Sequence, residues 1–318
     1  MRCTGRACQE RAPSRSVGAM DNRDDVREFL VSRRAKVSPD QVDMPGGSNR
    51  RVPGLRRGEV AVLADVSVEY YSRLERGDLS GVSDGVLEAL AGALLLDEAE
   101  RAHLFDLART ANTSPASRSR RRTTKRQEVR ASLKQALDAI TGAPAYVRNG
   151  RLDLLAANRL GRALYSEMYV RPERPPNFAR FAFLDRDRAE RLYPDWGVAA
   201  DIAVAILRTE AGRDPYDRIL QDLIGELSTR SDEFRTRWGA HDVRRHSTGV
   251  KQFRHPIVGD LSLSYEAMEM SADSGLTLYI HTATPGSSSG DGLRLLASWA
   301  ATQDQAERPA AKMAADGV

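Results

Sequence analysis

The stretch that most narrows what this chain can become is LRRGEVAVLADVSVEYYSRLERG, Leu55 to Gly77. Val60, Leu63 and Ala64 recur at helical spacing. Asp65-Val66 breaks the run. Ser67 then offers a good N-cap for a second helix, with Tyr71 and Leu74 on one face of it. Gly77 sits where that helix should stop, since glycine readily takes the left-handed cap conformation. Two short helices around a tight turn describe a helix-turn-helix, whose second helix enters the major groove of DNA. An ordinary helical hairpin gives the same signals, so the pattern alone leaves both readings open.

The flanking sequence builds a domain around this motif. Asp24 to Lys36 predicts a helix with Val26, Phe29 and Leu30 on one face. Val37 to Val52 is polar and contains Pro45-Gly46-Gly47, a long loop. Ser83 caps a helix whose apolar stripe is Val86, Leu87, Leu90 and Leu94. Asp97 with Glu100 forms a capping box for another, which buries Leu104, Phe105 and Leu107. Five helices thus end near Arg109, each too short to stand without packing.

The 318 residues are enough for two domains that each bury a core. Only Cys3 and Cys8 are present, so neither disulfides nor a cysteine zinc site can hold the rest of the chain. That fits a cytoplasmic protein. No apolar run reaches membrane-spanning length, and the basic N-terminus lacks the apolar stretch of a secretory signal. Met20 would be a natural start, and residues 1–22 read as a disordered extension. Of the 48 basic residues all but Lys36, Lys125, Lys134, Lys251 and Lys312 are arginine, suited to bidentate contact with phosphate and guanine. A GC-rich genome explains most of that bias.

The DNA-binding domain is expected over residues 23–110 and a linker over 111–130. Seven basic residues fall between Arg118 and Arg130, against the one acid Glu128. They make a solvated linker or a supplementary phosphate contact. The second half changes character. Pro144–Arg148 and Arg151–Ala156 read as strands around an Asn149-Gly150 hairpin turn. A helix is expected over Asn158–Met168, then amphipathic helices over Trp196–Glu210 and Pro215–Thr229. Strands follow at Val250–His255, Leu261–Met270 and Leu276–Thr282, with a last helix over Asp291–Ala300. An antiparallel sheet covered on one side, an α+β domain, is expected over 131–302, with a disordered tail at 303–318.

RRVPGLRRGEVAVLADVSVEYYSRLERG with VSDGVLEALAGALLLDEAERAHLFDLA resembles the N-terminal domain of MmyB-like regulators, a subfamily of the XRE-type helix-turn-helix proteins. Gly58 stands where Glu is usual, and Asp65 where the turn usually has Gly. NFARFAFLDRDRAERLYPDW, WGAHDVRRHSTGVKQFRHPIVGDLSLSYEAMEM and LTLYIHTATPGS resemble the C-terminal ligand-binding domain of the same regulators. The resemblance implies an all-α helix-turn-helix domain followed by a PAS-like α+β domain. It also implies an apolar cavity for a small molecule such as a fatty acid. Phe181, Phe183, Trp196, Trp238 and Tyr265 lie in the matching segments as candidate pocket or plain core, and His255 in HPIVG as a candidate ligand residue.

By the XRE pattern, Ser67, Val68, Glu69 and Tyr70 face the bases, with Arg73 one turn on. Arg73 can bond guanine O6 and N7, Glu69 can accept from cytosine N4, and Val68 can touch a thymine methyl. Tyr70 can reach phosphate. Arg56 and Arg57 open the first helix of the motif, as phosphate contacts, with Arg50 and Arg51 in the preceding loop. In similar folds the acid at the place of Glu75 pairs with an arginine of the first helix, so the resemblance implies a Glu75–Arg34 ion pair instead. A homodimer on double-stranded DNA is expected, because one short helix reads few base pairs.

Enzymatic readings find little support. Gly286-Ser-Ser-Ser-Gly290 fits a nucleophile elbow around Ser288, but no histidine follows it, as an α/β-hydrolase requires. No HExxH, P-loop or dinucleotide fingerprint is present. No cofactor or metal is called for. The alternatives are a ligand-binding or enzymatic C-terminal domain merely tethered to DNA, and an antitoxin-like interaction protein.

Overall fold

The computed structural model describes residues 22–44, 54–112, 128–170, 175–239 and 248–315, with side chains as far as residue 303. The expected extension before Asn22, Arg50 and Arg51, and most of the basic linker lie outside the described residues.

Five helices make the first domain: α1 Asn22–Lys36, α2 Arg57–Leu63, α3 Val68–Glu75, α4 Asp84–Ala93 and α5 Glu98–Ala111, with a 3-10 turn at Pro39–Val42 inside the long loop. The side-chain caps are those the sequence offered. Ser67 Oγ accepts from Tyr70 N at 3.0 Å, and Ser83 Oγ from Val86 N at 3.4 Å. Asp97 and Glu100 each accept from the other's backbone N–H, at 2.8 and 3.0 Å. Asp65 turns the chain at φ 51°, a conformation aspartate tolerates at some cost. Gly77 takes φ 94°, and a Cβ there would lie 2.2 Å from the Arg23 carbonyl oxygen, so glycine is required twice over. Phe29, Leu30, Val60, Tyr71, Leu74, Leu90 and Leu104 meet in one core. Burying each such side chain stabilises by roughly 1.5–3 kcal/mol, which short helices need.

The second domain is a five-stranded antiparallel sheet in the order β2-β1-β5-β4-β3. Its strands are β1 Ala145–Asn149, β2 Leu154–Ala157, β3 Thr248–His255, β4 Gly259–Glu269 and β5 Leu276–Thr282. Tyr146 pairs with Tyr279, and Tyr265 with His281, so one set of alternate side chains faces the helices. The helices α7 Arg159–Leu164, α8 Phe178–Leu184, α9 Arg186–Leu192, α10 Trp196–Arg213, α11 Arg218–Arg230 and α12 Asp232–Gly239 lie between β2 and β3 in the chain. The helix α6 Ala131–Ala139 packs Leu133 and Leu137 on the opposite face, over Ala145, Val147 and Leu276. This is the α+β domain expected, covered more fully than on one side.

Four local expectations need correction. Asn149-Gly150 does not form a two-residue turn. The loop runs to Asp153, Leu152 takes the left-handed position at φ 66°, and the Asn149 and Asp153 side chains brace it at 2.9 and 3.0 Å. Gly150 serves a close approach, since a Cβ there would lie 2.2 Å from the Glu210 carboxylate. The helix expected to Met168 ends at Leu164 and continues as a 3-10 turn, Ser166–Tyr169. Helices α6, α8, α9 and α12 were not foreseen; α8, FARFAFL, is too uniformly apolar to show a periodic face. The last helix, α13 Ser288–Ala315, passes the expected end at Ala300 and takes in most of the segment read as a disordered tail. Its seven alanines from Ala300 to Ala315 favour helix.

The two domains touch through α5 and α10. Thr110 Oγ1 donates to the Gly212 carbonyl at 3.2 Å. The His103 ring lies edge-on to Phe29 of α1 and fills the space above Gly212, where a Cβ would come within 2.4 Å of it.

Candidate functional site

The leading turn of α3 is open. Ser67, Val68 and Glu69 are exposed and Tyr70 half-buried, while Tyr71 and Leu74 are wholly buried behind them. Arg73 is half-exposed, with its guanidinium 4.8 Å from the centre of the Tyr70 ring and its Nε 4.0 Å from Asp78 Oδ2. The Ser80 backbone N–H holds the Asp78 carboxyl below its usual range, so it faces Arg73 ionised. A stacked, partly fixed guanidinium loses little freedom when it forks onto a base. The five residues expected to read bases therefore share one open edge.

Beneath that edge Glu75 is 2 % exposed and holds two arginines. Arg34 donates to Oε1 from Nη2 at 2.7 Å and from Nε at 3.2 Å, and Arg57 Nε donates to Oε2 at 2.7 Å. Arg34 also donates to the Leu55 carbonyl at 2.8 Å. The Arg34 pair was legible in the sequence; the Arg57 pair was not. Arg57 remains 58 % exposed, and Arg56 is exposed on the same helix start. Glu59 accepts from the Arg56 backbone N–H at 2.7 Å, so a carboxylate already sits at that terminus.

The second feature is a cavity of about 270 Å³ between the inner sheet face and α10. Leu152, Phe178, Ile202 and Ile206 make apolar walls, and Tyr146, Tyr193, Tyr265 and Tyr279 add aromatic ones. Two cations enter it. Arg148 donates to the Tyr279 hydroxyl at 2.6 Å and to the Asn149 carbonyl at 3.0 Å. The Lys251 ammonium lies 4.3 Å from the Tyr193 ring centre and 5.5 Å from that of Phe253. No carboxylate pairs with Lys251 among the described residues. Burial pushes its amine down to about 8, and Arg148 adds to that. Burial, with Lys251 nearby, pushes the His281 imidazole down to about 3, so that ring is neutral. An apolar chamber with an unpaired ammonium suits an apolar molecule bearing an acid group.

Residues 129–296, more than half of the chain, match the family of MmyB-like transcription regulator ligand binding domains. The chain belongs to the MmyB-like transcription regulators. Residues 6–104 match a helix-turn-helix domain family, beginning inside the segment expected as an extension. No curated protein matches the chain. Both families describe parts of transcription regulators rather than enzymes. The regulator thus binds DNA through its helix-turn-helix and carries a ligand-binding domain.

Of the candidate ligand residues, the regulator brings only Tyr265 to the cavity. Phe181 packs on Tyr193, with ring centres 6.0 Å apart, and Phe183 edge-on to Phe234 at 5.1 Å. Trp196 donates its indole N–H to the Ala182 carbonyl at 2.8 Å and lies beneath the guanidinium groups of Arg186 and Arg237. Trp238 stacks on Phe234 and against Arg208. His255 is buried; its Nε2 donates to the Ala163 carbonyl at 3.0 Å while Nδ1 accepts from Ile257 N at 3.2 Å. These five are core or turn supports. Aromatic content could not separate them from cavity walls, because strand alternation and helix facing decide that. Lys251 was missed, although it is a lone lysine in phase with Phe253 and His255 on β3. In the Gly286–Gly290 run, Ser287 accepts from Gly290 N at 3.2 Å as a helix cap, and Ser289 accepts from Ser262 N at 2.9 Å.

Among the described residues no helix is long and apolar enough to cross a membrane, and no group of histidine, cysteine, aspartate and glutamate could hold a metal ion.

Proposed function

We propose that the regulator reads a specific DNA sequence as a homodimer on an inverted repeat, and that a small apolar acid, such as a fatty acid, sets its activity. The open edge of α3 supports the first part. Ser67, Val68, Glu69, Tyr70 and Arg73 meet base edges, while Arg56 and Arg57 meet phosphate. Arg57 serves both roles, with Nε on Glu75 and the rest of the guanidinium outward. One helix of eight residues covers few base pairs, so two copies supply the specificity.

The observation that carries the ligand reading is the unpaired Lys251 ammonium in an apolar, tyrosine-walled cavity. Its chemistry calls for a carboxylate head and a hydrocarbon body. Such a ligand changes DNA binding only by favouring one arrangement of the two domains over another. Selection of bound sequences from a random DNA pool tests the first part, and recovery of no inverted repeat refutes it. Mass spectrometry of small molecules retained by the native protein tests the second; retained cations or sugars, with no acid, refute it.

A further inference from the structure

The ligand cavity has a neighbour. A cleft of about 710 Å³ lies between the DNA-binding domain and the ligand-binding domain. Ala99, Ala102 and Asp106 of α5 form one wall, and Thr209, Glu210 and Arg213 of α10 another. Arg148, Ile206 and Tyr279 line the cleft and the cavity alike, so these side chains border both spaces. Arg148 is held at this border by the Tyr279 hydroxyl and the Asn149 carbonyl.

We infer that the interdomain cleft is the outer half of the ligand site. A long-chain acid places its head at Lys251 and passes its tail by Arg148 and Ile206 until it lies against α5. The polarity of the two spaces sets this direction. Lys251 lies in the cavity, away from the cleft, and has no acid partner among the described residues. The cleft carries three acids, Asp106, Glu210 and Glu269, against Arg148 and Arg213, whereas the cavity carries Lys251 and Arg148 against the single acid Asp195, so a carboxylate is favoured in the cavity. The cleft also offers Ala99, Ala102, Ile206 and Ala267 to a hydrocarbon.

Size ranks the two spaces: the cavity, at about 270 Å³, is much smaller than the cleft, at about 710 Å³. A shorter acid fits inside the ligand-binding domain. A longer one emerges into the cleft and touches the helix that packs on α1 through His103 and Phe29. Chain length then decides whether binding is felt by the DNA-binding domain at all.

The inference rests on the acid-ligand reading above, and one experiment separates the two. Octanoate and tetradecanoate are titrated calorimetrically into the full-length protein, and amide hydrogen exchange is followed across α5 and α10. Both acids should bind. Tetradecanoate should slow exchange over α5 by about tenfold, while octanoate should act on α10 and the sheet and leave α5 unchanged. Ala102→Trp, which fills the cleft, should weaken tetradecanoate and spare octanoate. Binding of both acids with no difference at α5, or an Ala102→Trp protein that still prefers tetradecanoate, overturns the inference and leaves the ligand reading standing. Binding of neither acid overturns the ligand reading itself. The wild-type exchange comparison decides the matter even where Ala102→Trp fails to fold.

Discussion

Replacing Glu75 by alanine tests how the recognition helix is held. The carboxylate is 2 % exposed and joins Arg34, 15 % exposed, to Arg57, 58 % exposed. The two pairs are unequal in kind. Water screens the Arg57 pair, so its loss should cost about 0.2–1 kcal/mol. The Arg34 guanidinium is largely desolvated, and removing its partner leaves a buried charge facing the Leu55 carbonyl and the Tyr71 phenol without a carboxylate to balance it. Breaking one side of such a buried pair costs about 3–5 kcal/mol. Glu75→Ala and Arg34→Ala should each lower stability by about that much, and Arg57→Ala by about 0.5 kcal/mol. For a domain of this size a loss of about 3 kcal/mol or more lowers the midpoint by about 15 °C or more. Thermal melts of the three variants by far-ultraviolet circular dichroism, in low and high salt, give the comparison. The Arg34 and Glu75 effects should persist in high salt, because buried pairs are poorly screened. A Glu75→Ala protein that melts with the wild type, or an Arg57→Ala protein that falls as far as Arg34→Ala, would refute the reasoning.

Three further outcomes are expected. Arg73→Ala should cost about 1–3 kcal/mol of operator binding and relax preference at one base position; a uniform loss over all sequences would make Arg73 a phosphate contact. His281 is neutral in the fold with its value down near 3, so the unfolded chain takes up the extra proton as pH falls through 6.5. Stability should therefore drop by about 2 kcal/mol from pH 7 to pH 5, and urea titrations of His281→Asn should show that slope lost. Octanoate affinity should decline above about pH 8 as Lys251 loses its proton, and Lys251→Met should flatten the profile; an affinity steady to pH 10 in the wild type would remove Lys251 from the ligand head.

The helix-turn-helix was legible because its ends are written in local chemistry. Ser67, Ser83, Asp97 with Glu100, Asp65 and Gly77 act on their own backbone or the next turn, and such signals survive without knowledge of the fold. Glu75 and Arg34 lie 41 residues apart, yet the resemblance paired them, while Arg57, nearer in the chain, went unnoticed as the second partner. The strands were legible from their alternation. The cavity was not, because its walls come from β1, β3, β4, β5, α8 and α10 at once, and no local pattern says which aromatic rings meet solvent-sized space. Trp196 and Tyr265 look alike in sequence; one indole is spent on the Ala182 carbonyl, while the phenol faces the chamber. Lys251 was the available signal, a charge placed on the strand parity that otherwise carries Phe253 and His255.

The fit of the His103 ring over Gly212 bears on how such proteins diversify. A sensor joined by recombination to a new reading head meets a foreign α5, and the bare backbone at Gly212 then faces whatever side chain replaces the imidazole. A smaller residue leaves a void, and any side chain at position 212 displaces the ring that packs there. Chimeras that exchange heads between relatives should work when this pair travels together and fail when it is split, so the seam between the two modules is itself an inherited trait.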